Sequence, residues 1–329
     1  MKRVLTGLQP SGQLHLGNYA GAIRQLLDLQ HDHEVFVFVA SYHALTTSTD
    51  PAELRQNIRQ VVVDYLAFGL DPTKCHIYLQ QDVSAVCELA WLLSCVCPKS
   101  QMDKATTFKD KVAKGLSANL GLYTYPVLQA ADILAVDPDV VPVGADQKQN
   151  VEIARDLAQK FNHAFGSEDE PVFKLPALMM REGAATLPGI DGQKMSKSYG
   201  NGIDPFMPEK PLRKRIMKIV TDSTPPEERK DAASSVPYQM FAALAGEDDP
   251  RTVELKARYA ATGESGMGYG EAKQALFELV MDTFGPARKR REALMQDQCA
   301  IDTVLRDGAD AANAILSQTI ERARGAVGL

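Results

Sequence analysis

Tryptophan is nearly missing from this chain, with Trp91 alone among 329 residues. Cysteine is also scarce. Five residues, an odd number without a Cys-x-x-Cys pair, exclude a disulfide framework and give no sign of a zinc site. Cys95 and Cys97 stand two apart in a segment that reads as helix, where such positions do not face each other. Reduced thiols in a cytoplasmic protein are therefore expected. Long apolar runs are lacking too. Residues 35–40 form the longest strongly apolar run, well below the ~20 needed to span a bilayer, so no membrane partner is expected. Behind Lys2 and Arg3 only Val4 and Leu5 precede Thr6 and Gly7, not the roughly 7–15 apolar residues of a secretory leader. Nor is there an excess of positive charge: 36 Lys+Arg face 42 Asp+Glu, a net of −6. That excludes holding nucleic acid by bulk charge and leaves only local patches.

What is present is ordinary for a globular protein, with 45% hydrophobic and 24% charged residues. The length fits two domains. The first part alternates strand-like and helix-like segments. Residues 3–8, 35–40, 76–79 and 140–143 read as strands, and 35–40 has the unbroken apolar run of a parallel strand buried on both faces. Between them, 17–30, 51–68, 85–96, 126–135 and 147–161 read as helices. Asp50 stands at an N-cap, with Pro51 at the first helical position and Glu53 where a capping box places it. Such alternation predicts an α/β fold with a doubly wound parallel sheet, whose ligands bind at the carboxyl ends of the strands. From Pro208 onward the patterns are helical only: 209–220, 237–245, 250–261, 269–284 and 299–324. Gly183, Gly189, Gly192, Gly200 and Gly202 mark a connection between the two parts. The expected division is 1–204 and 205–329, with the last helix in a position to pack back on the first domain.

Two segments carry chemistry. Gln9-Pro10-Ser11-Gly12-Gln13-Leu14-His15-Leu16-Gly17-Asn18 follows the first strand and opens the first helix. Its glycines let a ligand approach the backbone, and exposed helix-start N–H groups favour an anion. The same pattern also fits a plain strand–turn–helix connection. Lys194-Met195-Ser196-Lys197-Ser198 places two lysines three apart in the Gly-rich stretch, as point charges able to follow a phosphate. A solvated basic loop would look the same.

PSGxLHLGN followed by KMSKS resembles the two signatures of class I aminoacyl-tRNA synthetases. Residues 7–12, His43 in Tyr42-His43-Ala44, Tyr125-Pro126, Ala131-Asp132-Ile133-Leu134 and residues 141–147 narrow this to a similarity with the tryptophanyl enzymes of bacteria. Gly268-Tyr269-Gly270 and residues 256–259 extend it over essentially the whole chain. The resemblance implies a Rossmann-like catalytic domain followed by a helical anticodon-binding domain. It implies ATP-dependent activation of L-tryptophan and transfer to tRNA(Trp) by a cytoplasmic homodimer. Mg²⁺ is expected on the ATP phosphates, with no protein metal site. Gln9, His15, Lys194 and Lys197 would be catalytic. ATP would meet Gln9, Pro10, Ser11, Gly17, Asn18, Lys111, Gly144, Ala145, Asp146, Lys194, Met195, Ser196, Lys197 and Ser198. Tryptophan would meet Leu5, Gly7, His43, Tyr125, Gln129, Asp132, Val141, Val143 and Gln147. A buried carboxylate at Asp132 suits indole, which offers one N–H donor and no acceptor.

The chain departs from the family pattern in places. His15 stands where many tryptophan enzymes carry Thr, and Asn18 replaces the final class histidine. Ala145 replaces an acidic residue. Gln129 stands where Met is usual, and it could bond Asp132 or a water, or point away. The alternatives are a tyrosyl enzyme of the same class and a non-catalytic, synthetase-like RNA-binding protein. The basic clusters at 210–218 and 288–291 read as solvated faces or as contacts for tRNA phosphates. Residues 205–329 hold 18 Lys+Arg and 19 Asp+Glu, so any patch must be segregated by the fold. Trp91 reads as a core residue.

Overall fold

Strand β2 (His33–Val39) sends Val35, Val37 and Val39 to one side and Phe36 and Phe38 to the other, following the two-residue period of an extended chain. Strand β1 (Lys2–Leu8) does the same with Val4 and Leu8 against Leu5. Two apolar layers result, one on each face of the sheet. The computed structural model describes residues 1–10, 12–105, 108, 112–113, 115, 117–144, 147–167, 169–180 and 187–329.

With β3 (Cys75–Leu79), β4 (Val140–Val143) and β5 (Ala177–Met180) the sheet has five strands, all parallel, in the order β3-β2-β1-β4-β5. The chain reverses its direction of travel across the sheet between β1 and β4. In a doubly wound sheet that is where a cleft opens at the carboxyl ends. Strand β5 is not among the four that the sequence pattern predicts. Its Ala-Leu-Met-Met carries no β-branched residue. It also lies at the sheet edge with partly exposed side chains, so it lacks a buried run to betray it.

After β1 the chain forms one helical rod: α1 (Leu16–Asn18), a π-helical segment (Tyr19–Ile23) and α2 (Arg24–Leu29). Then follow α3 (Ser41–Ala44) and α4 (Pro51–Phe68). Asp50 caps α4 by accepting from the N–H groups of Ala52 and Glu53 at 2.8 and 3.1 Å. Gly69 stops it at φ +115°, a conformation that costs glycine little. Helices α5 (Val86–Val96), α6 (Lys99–Lys104), α7 (Leu120–Ala135) and α8 (Lys148–Phe165) complete the first part. Helix α7 begins six residues before the predicted start at Pro126, because Asn119 caps it by accepting from Leu122 N at 2.7 Å.

The later helices are α9 (Glu209–Met217), α10 (Val236–Ala245), α11 (Pro250–Ala260), α12 (Tyr269–Gln296) and α13 (Gln298–Val327). Helix α12 runs past its expected end at Phe284 and through Pro286, which sits on its exposed side. The added turns dock on α4. Arg291 Nε donates to buried Asp64 at 2.7 Å, and Arg290 Nε donates to Ala67 O at 2.9 Å. Arg288 donates to Met207 O and Pro205 O. The basic run 288–291 is thus not a simple solvated face, because three of its arginines bond within the chain, while Lys289 and Arg290 stay exposed. Helix α13 returns to the sheet and lies on β3. There a Cβ on Gly308 would stand 2.0 Å from Ile77 O. Arg322 pairs with Asp137, and Arg324 with Glu88.

Trp91 is 70% exposed on α5 and not in the core. Helix α5 buries Val86, Leu89, Leu92 and Leu93, and Trp91 falls on the opposite side with exposed Cys87 and Cys95. Among the described residues no helix is long and apolar enough to cross a membrane.

Candidate active site

The carboxyl ends of β1, β2 and β4 open into a cavity of about 600 Å³. Its lining includes Leu5, Gly7, Gln9, Asn18, Phe38, His43, Tyr125, Gln129, Val141, Val143, Gly144 and Gln147. Gly7 is required by space, since a Cβ there would lie 2.7 Å from Phe38 Cζ. Most of the residues expected around tryptophan therefore line one cavity. Asp132 is not among the lining side chains. It is 3% exposed and reaches the cavity through its neighbours.

His43 Nε2 lies 2.8 Å from Asp132 Oδ2. The Gln80 amide donates to both carboxylate oxygens, at 2.9 and 2.8 Å. Burial pushes the Asp132 carboxyl above its ordinary range, and the contacts with His43 and Gln80 oppose that. Of the readings open for Gln129, a bond to Asp132 is not the one seen: its Nε2 donates to Gln147 Oε1 at 3.3 Å. Asn150 donates to the same oxygen at 3.0 Å, which fixes Gln147 from two sides.

A second cavity of about 270 Å³ adjoins the first through Gly7, Gln9 and Asn18. His15, Leu14 and Lys197 line it as well. His15 caps the helical rod reciprocally with Asn18. Its Nδ1 accepts from Asn18 N at 3.3 Å, and Asn18 Oδ1 accepts from His15 N at 3.0 Å. With Nδ1 an acceptor, the ring is neutral. Burial first, and the Lys197 charge second, pull its pKa down to about 4.

The two signature segments meet here. Leu16 N donates to Ile203 O at 2.9 Å, and Lys197 Nζ donates to Gly12 O at 3.0 Å. Gly17 N donates to Met195 Sδ at 3.3 Å. Buried Asn201 shapes the second segment, accepting from Ser196 N at 2.8 Å and donating to Lys194 O at 3.1 Å. Burial lowers the Lys197 pKa, and the Asp64 charge opposes this. Lys194 is exposed and lines neither cavity, and Pro10 borders a separate polar hollow with Thr46 and Asp50. Ser11, Lys111, Ala145 and Asp146 lie outside the described residues, as does the Ser198 side chain.

Sequence reasoning missed Gln80, Asn201 and Asp64. Each is a buried polar residue; Asp64 stands out in an apolar segment and Asn201 in a Gly-rich one, whereas Gln80, beside Gln81 and Asp82, carries no such mark. A lone polar residue there points to no particular partner until the fold supplies one.

The arrangement offers a cation, a neutral imidazole and helix-start N–H groups beside a cavity of mixed polar and apolar lining, with a buried carboxylate behind it. Comparison with known proteins gives this combination a context. The family model for tRNA synthetases class I (W and Y) matches residues 1–285. The tryptophan–tRNA ligase of Rhodopirellula baltica is 46% identical over 327 residues, spanning 99% of each chain. That of Fusobacterium nucleatum is 46% identical over 329 residues, covering 100% of this chain and 98% of the relative. The crystal structure of tryptophanyl-tRNA synthetase from Campylobacter jejuni, complexed with ADP and tryptophan, superposes with a TM-score of 0.91 at 45% identity, covering 99% of this chain and 100% of that one.

Proposed function

The chain belongs to the class I tRNA synthetases for tryptophan and tyrosine, and from that premise we propose how its residues share out the work of a tryptophan–tRNA ligase. In the first step the carboxylate of L-tryptophan attacks the α-phosphorus of ATP. Tryptophanyl-adenylate forms and pyrophosphate leaves. In the second step a ribose hydroxyl at the 3′ end of tRNA(Trp) attacks the adenylate carbonyl and AMP leaves. The chemistry needs no covalent enzyme intermediate, so catalysis is chiefly positioning and charge stabilisation.

The larger cavity takes tryptophan. Leu5, Gly7, Val141 and Val143 wall the indole, and the Asp132–His43 pair reads its N–H. Tyr125 and Gln147, the latter held by Gln129, face the ammonium group. The triphosphate runs along residues 9–11, Gly17 and Asn18, with Lys111 at its end and residues 144–146 receiving the ribose. Lys194 and Lys197, with residues 195, 196 and 198 of the same loop, follow the β- and γ-phosphates.

One observation carries this reading: Lys197 approaches Gly12, 185 positions away in sequence, beside a neutral His15. The Gly17 N–H meanwhile rests on a thioether, a weak acceptor that a phosphate oxygen would replace. Among the described residues no cluster of His, Cys, Asp and Glu could cage a metal. Mg²⁺ enters as part of the ATP substrate, held by phosphate oxygens.

Residues 1–204 form the catalytic unit and 205–329 the unit that meets the tRNA anticodon. Two copies associate through the α5 face that exposes Trp91, whose large apolar side chain suits an interface core. Five unpaired cysteines fit a cytoplasmic setting.

Tryptophan-dependent exchange of pyrophosphate into ATP, with tyrosine and phenylalanine alongside and no tRNA, tests the first step. Exchange with tryptophan alone upholds the reading. Exchange with tyrosine would overturn the role of Asp132, and none at all would overturn the activation step.

A further inference from the structure

We infer that Gln80 is a positioning residue for amino-acid recognition, holding the Asp132 carboxylate and His43 in the arrangement that reads the indole N–H. This rests on the assignment of the indole to Asp132 proposed above.

Gln80 is 1% exposed and begins the short 3-10 turn that leaves β3. Its Oε1 accepts from Tyr42 N at 2.9 Å. A backbone N–H can only donate, so the amide orientation is fixed, with oxygen to Tyr42 and nitrogen to Asp132. The Nε2 group then donates to both Asp132 oxygens, at 2.9 and 2.8 Å. Asp132 must therefore accept there, which requires an unprotonated face. With His43 on Oδ2, three of about four acceptor positions on the carboxylate are taken. The one left, on Oδ1, suits a group that donates and never accepts. Phenylalanine brings no such donor and would leave it unpaired.

Gln80 also sets the second reader. Tyr42 lies in α3, next to His43, so one buried amide ties the β3 turn, the α3 helix and the α7 carboxylate together. Burial favours the protonated form of Asp132, which would donate instead of accept, and Gln80 and His43 oppose it. Among the described residues, Tyr78 on β3 and Cys87 on α5 also sense the Asp132 charge. Burial raises the pKa of both, so they stay neutral at working pH.

Two full-length variants test this, with KM for tryptophan, KM for ATP and kcat measured by pyrophosphate exchange from about pH 6 to pH 9. Gln80→Met removes the donor and keeps the bulk. KM for tryptophan should rise about ten- to hundredfold, the usual cost of a lost bond to a charged group, with kcat and KM for ATP near wild type. The rise should shrink as pH increases and Asp132 regains its charge. Gln80→Glu should show the opposite slope. While the two carboxyls share a proton, the Glu O–H can replace the amide donor, and once that proton is lost the charges repel. KM should then be near wild type at low pH and rise with pH. Opposite slopes cannot come from a general packing defect, and if the Met variant folds poorly, the Glu variant at low pH still offers an acceptor to Tyr42 N and one donor to Asp132. Unchanged KM in both variants, or parallel pH profiles, would overturn the proposal. Wild-type exchange that ignores tryptophan would instead overturn the reading beneath it.

Discussion

Replacing Gly308 by alanine should destabilise the protein through one contact. The Cβ would stand 2.0 Å from Ile77 O, 2.6 Å from its carbonyl carbon and 2.8 Å from its nitrogen. All three are backbone atoms of β3, which is paired with β2 at Val37 and cannot step aside. Helix α13 must therefore move outward by about 1 Å or more, and a gap of that size forfeits a quarter to a half of each dispersion contact. The residues that lose contacts include Ala309, Ala312, Leu316 and Ile320, all buried against the sheet. Overpacking costs about 1–3 kcal/mol, more where nothing relaxes, and better helix propensity returns about 0.5–1 kcal/mol. The net loss should be about 2 kcal/mol. Gly325→Ala in the same helix is the control. Nothing lies within 4 Å of its Cβ, so it should gain about 0.5–1 kcal/mol. Urea midpoints of the two variants should fall on opposite sides of wild type. Because Asn313 of α13 also donates to Asp82 O in the turn after β3, Gly308→Ala should raise KM for tryptophan too. A Gly308→Ala midpoint at or above wild type would refute the packing of α13 on β3.

Arg291→Ala leaves the Asp64 carboxylate buried without its guanidinium, which should cost about 3–5 kcal/mol in urea unfolding; a loss below about 1 kcal/mol would mean that the pair does not hold α12 to α4. Lys197→Ala should slow adenylate formation far more than it weakens tryptophan binding; equal losses in kcat and in tryptophan affinity would remove Lys197 from the phosphates. His15, with its folded pKa lowered to about 4 against 6.5 unfolded, should titrate low by NMR. The unfolded chain takes up a proton that folded His15 refuses, so its contribution to stability is present above about pH 6.5 and declines as pH falls towards 4. A His15 midpoint near 6.5 would refute its burial.

The alternation of strands and helices was readable because a buried parallel strand must be apolar along its whole length, as 35–39 is. Strand β5 was not, because an edge strand of Ala, Leu and Met satisfies no such demand. The two signatures were legible as short literal strings, and the cavity walls at Leu5, Gly7, Val141 and Val143 came from the family resemblance that those strings carry. What failed was the inference of surroundings from residue type. A solitary tryptophan suggests a core, yet Trp91 falls on the exposed arc of α5 once Leu89, Leu92 and Leu93 take the inner one. A run of four basic residues suggests solvent, yet helical geometry turns Arg288, Arg290 and Arg291 onto backbone carbonyls and Asp64. Gln80 gave no signal, because its meaning lies in Tyr42 and Asp132, and these are distant in sequence.

The His15 ring sits between two glycines from opposite ends of the catalytic sequence. A Cβ at Gly17 would come within 3.0 Å of its Nδ1, and one at Gly202 within 3.1 Å of its Cβ. Positions 15, 17 and 202 therefore share one crowded volume, and added bulk at either glycine must be absorbed by a small shift of residue 15. A substitution in the second signature segment would thus be felt at the helix cap of the first.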